Sequence, residues 1–382
     1  MSKPRVVVHI GTPKTGTTTV QTALHLAGKE MLKKGGMLYA GTGRAKHKNR
    51  HVSVVRAAMA GEEEAREEFE ALHKEFAESG AQRLFITDEG LSLKPRVARF
   101  FEQFREAGYE VQVVCYLRRW DYFAESFFNQ VIRVKDFKGI PPIDEFWRDE
   151  QVITKMDYPR LLAPWAEVAD VMTVRNFHDD VKAEGGLIAA FQRAVGLEML
   201  GTLEADVKNA SRDVRVMILL CMLGDVGEVQ ELRQMATTAI NSTNRLLDTG
   251  VLSPVKYVLG HRERKVVVDT LRERFAAALK AQYDIEFDDT MPKGEQMEPV
   301  REPDPQFLMA LMGELPLVDL LKLRQLLAKR VAALVSRGPQ ASLVTTPVGP
   351  MDARVSFDEW LASIDEAALW TATLGEGQLA PV

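Results

Sequence analysis

Near the N-terminus the chain reads Gly11-Thr12-Pro13-Lys14-Thr15-Gly16-Thr17-Thr18-Thr19, a set of residues suited to holding an anion. Set between a strand and a helix, such a turn aims several backbone N–H groups at one point, and the helix dipole adds roughly half a positive charge. Gly16 lets the backbone approach closely, Thr17 and Thr18 offer hydroxyl donors, and Lys14 brings a full charge. A nucleotide triphosphatase loop of the form G-x-x-x-x-G-K-[ST] would put a lysine directly after the second glycine. Thr17 fills that slot here and the lysine lies two residues before Gly16, so the usual magnesium–triphosphate arrangement is not spelled out. Arg118 and Ser126 form a second set, since a guanidinium and a hydroxyl together suit a phosphate dianion. Glu89 and His51 are candidates for a third task, taking a proton from an attacking hydroxyl.

These groups act together only if regular elements carry them to one rim. Val6, Val7, Val8, His9 and Ile10 form a short β-branched run and predict a buried strand, followed by a helix over 17–33 that Gly35-Gly36 stops. Residues 41–50 are rich in glycine and base and predict a loop, and 61–80 a charged helix. A second strand is expected at Arg83–Thr87, ending at Asp88-Glu89-Gly90, and a third at Glu110–Leu117 between helices at 95–107 and 120–134. A helix over 157–166 and a fourth strand over 168–174 follow. This alternation predicts an α/β fold of the P-loop type, a parallel sheet flanked by helices, with ligands at the carboxyl ends of the strands. Arg118, Glu89 and the Lys14 turn all fall on that rim.

From 178 to 285 the pattern is nearly all helical, and 288–306 is rich in proline and acid. The expected organisation is an α/β domain over 1–287, a linker over 288–306 and a C-terminal helical extension over 307–382. The extension comprises helices near 307–314, 317–337 and 356–373, with a loop over 338–350; Pro316 suits the first turn of the second helix. The apolar stripe from Leu317 to Leu334 can pack against the main domain or against a second subunit in a homodimer.

The 382 residues are 46% hydrophobic and 27% charged, ordinary values for a soluble globular protein. A net charge of −5 gives no global basic field, which argues against a nucleic-acid partner and makes any anion site a local feature. No signal peptide or apolar stretch of membrane-spanning length is visible, so a cytoplasmic protein without stable membrane insertion is expected. The two cysteines, Cys115 and Cys221, do not imply a disulfide, and no metal-ligand cluster stands out.

Pro13-Lys14-Thr15-Gly16-Thr17-Thr18 resembles the 5′-phosphosulfate loop of sulfotransferases that use 3′-phosphoadenosine 5′-phosphosulfate (PAPS). His9-Ile10-Gly11 before it and Val20-Gln21 after it are similar to the bacterial carbohydrate-type branch. Arg118 and Ser126 resemble that family's 3′-phosphate pair, an arginine at a strand end and a serine eight residues later. The resemblance spans roughly residues 5–285, with specific motifs at 9–21 and 116–130. It implies that Lys14, Thr15, Gly16, Thr17, Thr18, Arg118 and Ser126 bind PAPS, the sulfuryl donor, without a metal. It further implies in-line transfer to a hydroxyl or amine acceptor, with Lys14 stabilising the departing phosphate.

Glu89 closes a strand on the active rim, where similar carbohydrate sulfotransferases place a catalytic glutamate. His51 is the other candidate base, since many members that act on small molecules use histidine. The acceptor is a small molecule or glycan; Arg44, Lys46, Lys48 and Arg50 favour an acidic or already sulfated saccharide, or a glycolipid. Two other readings stand beside this one: a P-loop kinase acting on a small molecule, and a catalytically silent nucleotide-binding or scaffold protein.

Overall fold

The computed structural model describes residues 3–44, 49–197, 213–292, 298–301 and 303–337. Lys46, Lys48, the loop expected over 338–350 and the helix expected over 356–373 lie outside the described residues. The chain divides into two compact units. Among the described residues the first takes those up to 127 together with 148–197 and 265–290, and the second takes 128–147, 213–264 and 291–337.

The first unit is built on five parallel strands: β1 Arg5–His9, β2 Met37–Tyr39, β3 Arg83–Thr87, β4 Glu110–Leu117 and β5 Val171–Asn176. Their order across the sheet is β2-β3-β1-β4-β5, with helices between them in sequence. Parallel strands covered on both faces read as continuous apolar runs, and β1 and β4 do so; Val6, Val7, Val8, Val113 and Val114 are all fully buried. Register pairs Val7 with Phe85 on one side and with Gln112 on the other, and sets His9 between Thr87 and Val114.

Sequence reasoning missed β2. Its three residues follow Gly35-Gly36 directly, too few to show a period, and they become a strand because Gly36 turns the chain in left-handed backbone (φ 56°) and β3 supplies a partner. The last strand falls at Val171–Asn176 instead of 168–174, because Val168 ends the Tyr158–Val168 helix and the Asp170 carboxylate accepts the Val111 N–H at 2.8 Å.

The Thr17–Gly35 helix buries Val20, Ala23, Leu24, Ala27 and Met31, the 3–4 spacing of one apolar face. That face joins Val7, Tyr39, Phe85, Tyr116 and Phe191 in one core. Phe191 meets His9 and Phe85 edge-on, with ring centroids 5.1 and 5.8 Å apart. From β1 the chain crosses to β2 on one side of the sheet, whereas from β4 it crosses to β5 on the other. The neighbours β1 and β4 therefore flank the topological switch point, where open α/β sheets form a crevice at their carboxyl ends.

The second unit is helical. Helices Val214–Gly224, Val229–Asp248, Pro305–Glu314 and Leu317–Arg337 pack on one another. A Cβ on Gly224 would stand 2.0 Å from the Phe137 carbonyl oxygen, so only glycine allows that approach.

The organisation expected at 288–306 needs revision at both ends. Buried Arg119 donates to the Asp288 carboxylate at 2.8 Å and to the Thr290 carbonyl at 2.7 Å, while Val300 N–H donates to the Val258 carbonyl at 2.8 Å. Proline and acid made the stretch look like a free linker, but its backbone carbonyls satisfy a buried guanidinium. Residues 128–147 and 213–264, expected in the main domain, pack in the second unit instead.

Phe191 is 1% exposed at the centre of the core. Phe191→Ala is expected to cost about 3–5 kcal/mol through lost burial and the cavity left behind, to be measured by denaturant unfolding.

Candidate functional site

The turn after β1 is fastened to β4 before its helix begins. Ile10 N–H continues the ladder to the Val114 carbonyl at 3.0 Å, and Thr12 Oγ1 donates to the Tyr116 carbonyl at 2.5 Å. Thr15 Oγ1 folds back on the Thr12 carbonyl at 2.8 Å. Lys14 and Gly16 both have φ of 72°, the left-handed region. Glycine adopts it freely, whereas for Lys14 it costs about 1–2 kcal/mol, a strain that persists only where the surroundings enforce it. Gly16 caps the Thr17–Gly35 helix, and its carbonyl accepts from Thr19 and Val20 N–H at 2.9 and 3.1 Å. A Cβ at Gly16 would stand 2.2 Å from Leu187 Cδ2. The first N–H groups of a helix have no intrahelical partner, and Thr17 Oγ1 beside them is buried with no hydrogen-bond partner.

Arg118 leaves the end of β4 and reaches across the switch point. Its Nη1 donates to the Lys14 carbonyl at 2.8 Å, and the guanidinium lies 5.8 Å from the ring centres of Tyr122 and Phe177. Its Nε is buried without a hydrogen-bond partner. Burial pulls the guanidinium's pKa down, and Glu125 is the first of the groups opposing the shift. Tyr158 Oη holds the Arg118 carbonyl at 2.6 Å. The structure thus brings Arg118 onto the turn that carries Lys14 and Thr17. Ser126 stands half-buried in the Trp120–Val134 helix that follows, and no hydrogen bond among the described residues joins it to Arg118. Thr15 is committed to closing the turn, and Thr18 is exposed on the helix's first turn.

Glu89 opens the short Glu89–Leu93 helix at the end of β3, with Asp88 as its N-cap accepting the Gly90 N–H at 2.7 Å. Ser92 Oγ donates to the Gly11 carbonyl at 2.9 Å and so ties this helix to the turn after β1. Burial pushes the Glu89 carboxyl above its ordinary pKa; Arg50 and Lys14 oppose the rise and Asp88 adds to it. Lys14 and Glu89 therefore act on one another electrostatically.

His51, the other candidate base, is a structural clasp. It is fully buried, its Nε2 meets the Ala40 carbonyl at 3.1 Å and its Nδ1 meets the Thr87 N–H at 3.1 Å. The tautomer that satisfies both carries its proton on Nε2, leaving neither nitrogen for a substrate. Burial lowers its pKa to about 4, and that of His9, also buried, to about 3.

A pocket of about 170 Å³ beside Arg118 went unread in the sequence; Arg119, Tyr122, Asn176, His178, Lys182 and Phe287 are among its lining residues. His178 lies against Tyr122 with ring centroids 4.3 Å apart and the planes tilted by 45°, its Nε2 is buried without a hydrogen-bond partner, and burial followed by Arg118 lowers its pKa to about 4. Arg119 is structural, paired through two nitrogens with Asp121 at 2.7 and 2.8 Å. Arg119 and Tyr122 fall within the 116–130 motif, but His178, Lys182 and Phe287 come from distant parts of the chain with no spacing signature.

Among the described residues no cluster of His, Cys, Asp and Glu is placed to hold a metal ion, and no helix is long and apolar enough to cross a membrane. The three neutral histidines, His9, His51 and His178, make stability fall on acidification. A histidine whose folded pKa lies below its unfolded value is fully stabilising above the unfolded value, about 6.5, and loses that contribution as pH falls toward the folded one. Between pH 7 and pH 5 His51 alone is expected to remove about 2 kcal/mol of unfolding free energy, measured as a fall in urea midpoint that His51→Gln makes smaller by that amount. The chain matches no family model, no curated protein and no solved structure.

Proposed function

We propose that the chain is a PAPS-dependent sulfotransferase on a P-loop-type sheet, moving a sulfuryl group to a hydroxyl or amine acceptor, a saccharide or glycolipid being favoured. The observation that carries this reading is the contact at the switch point: Arg118 from β4 donates to the carbonyl of Lys14 in the turn after β1. An anion site on one strand end and an arginine on the next suit a nucleotide with phosphates at two positions. The residues also fit it chemically. Thr17 Oγ1 and Arg118 Nε are buried polar atoms lacking partners, and leaving such groups unsatisfied costs about 1–3 kcal/mol each. An anion bearing several acceptor oxygens would meet both needs.

On this reading Lys14, Gly16, Thr17 and Thr18 hold the 5′-phosphosulfate end, and Arg118 with Ser126 holds the 3′-phosphate. The aromatic pocket of Tyr122, His178 and Phe287 adjoins Arg118 and suits the flat base. The donor brings an activated sulfuryl group; the chain's own residues supply charge and a proton acceptor. Lys14 neutralises the negative charge that grows on the departing phosphate. Glu89, within electrostatic reach of Lys14, accepts the proton of the attacking hydroxyl. Because burial raises its pKa, Glu89 is a stronger base than an exposed carboxylate, and it loses that role as pH falls and the carboxylate takes up a proton.

Adenosine 3′,5′-bisphosphate is expected to bind in the absence of magnesium, and Arg118→Ala to weaken it about tenfold or more, a loss of roughly 1.4 kcal/mol, by titration calorimetry. Binding of ATP with magnesium in its place would move the kinase reading to the front. Binding of the bisphosphate with no turnover on any acceptor would favour the silent nucleotide-binding protein. Glu89→Gln is expected to lower turnover by about a hundredfold or more while leaving bisphosphate affinity within about twofold, since Glu89 serves the acceptor and not the nucleotide.

A further inference from the structure

Glu89 does not stand alone at the end of β3. Asp88 directly precedes it, and its carboxylate is only 3% exposed. One Asp88 oxygen accepts the Gly90 N–H at 2.7 Å, and the other lies 3.8 Å from Arg50 Nε. That separation is an ion pair but too long for a hydrogen bond. Arg50 enters from a different element, the segment that leads into the Val52–Ala60 helix, which His51 pins to β3 through its N–H on the Thr87 carbonyl at 2.9 Å. His51 therefore fixes where Arg50 starts, and Arg50 lies against the Asp88-Glu89 step.

Two adjacent carboxylates in a partly buried place oppose one another's ionisation. The charged groups facing Glu89 are Asp88 at the end of its own strand, Arg50 from the 49–51 segment and Lys14 from the turn after β1. His51 is neutral there and contributes no charge near pH 7. When Lys14 faces a nucleotide phosphate, Arg50 still lies within ion-pair distance of Asp88.

We propose that Arg50 is a positioning residue whose guanidinium, held against Asp88, neutralises the buried carboxylate next to Glu89 so that Glu89 stands ionised and ready to accept a proton. The role rests on the reading of Glu89 as the base. Its electrostatics agree with the geometry: Arg50 is the strongest of the charged groups opposing the rise in the Glu89 pKa, ahead of Lys14. Nothing in this role requires Arg50 to touch the acceptor.

The test is the titration of the Glu89 side-chain carbon in protein labelled with ¹³C-glutamate, the resonance being assigned by its loss in Glu89→Gln. Arg50→Gln is expected to move the Glu89 midpoint up by about one pH unit, and Arg50→Lys to hold it near the wild-type value. The double variant Arg50→Gln with Asp88→Asn should bring it back, because asparagine caps a helix as well as aspartate does. With turnover, the acid limb of the pH profile should move up by the same amount. A Glu89 midpoint that stays put in Arg50→Gln overturns the proposal. Should that variant not fold, Arg50→Met decides in its place, a raised Glu89 midpoint supporting the role and an unmoved one overturning it. Adenosine 3′,5′-bisphosphate binding in the same samples separates the two ideas. A shifted midpoint without bisphosphate binding sinks the sulfotransferase reading and leaves Arg50's role standing, and binding with an unmoved midpoint does the reverse.

Discussion

The site depends on how the centre of the sheet closes at its carboxyl end. Between β1 and β4 the ladder does not stop with the last paired strand residues; it continues through Ile10 to Val114, Thr12 to Tyr116 and Arg118 to Lys14. Each link carries the turn one step further while keeping it on β4. The last of them holds Lys14 in a backbone conformation that an L-residue avoids. An anion-binding turn held this way is fixed by protein–protein bonds before any ligand arrives, which spares the ligand the entropy of ordering it. The same closure tells β4 where to end, because the Arg118 carbonyl is held in turn by Tyr158.

Around this closure burial decides which groups carry charge. His9, His51 and His178 are all driven toward the neutral form by desolvation. Among the described residues the guanidinium groups here are held by specific partners, Arg50 beside Asp88, Arg119 between Asp121 and Asp288, and Arg118 on the Lys14 carbonyl. Histidine serves here as a buried donor and acceptor that locks segments together, as His51 does for the chain between β2 and β3.

Much of this was legible in the sequence where chemistry and period coincide. The β-branched run at 6–10 and the glycine turn after it predicted both β1 and the helix start, and the apolar strand 110–117 ended where Arg118 stands. What was hidden depended on long-range partners. β2 is too short to have a period and exists through β3. Val168 fits a helix or a strand equally well until Asp170 is seen to hold Val111. His51, beside a basic, glycine-rich loop, was a candidate base, and only the packing of Ala40 and Thr87 around it reveals a clasp. Arg118 and Arg119 are neighbours of one residue type, yet one serves the switch point and the other anchors residues 288–290, a division of labour that no local pattern encodes.

The strand order also bears on how the chain is made. β1 lies in the middle of the sheet yet is the first strand to leave the ribosome, and neither neighbour exists until β3 and β4 have been synthesised. At about 5–20 residues per second, its run of Val6, Val7, Val8 and Ile10 waits for several seconds with both edges unpaired. Such a segment is sticky and apolar, and parallel pairing over long sequence separations forms slowly. Nascent chains of this protein therefore pass through a window in which a chaperone able to cover an extended aliphatic stretch has the most to contribute. A purified chain refolded from denaturant, with all five strands present at once, has no such window.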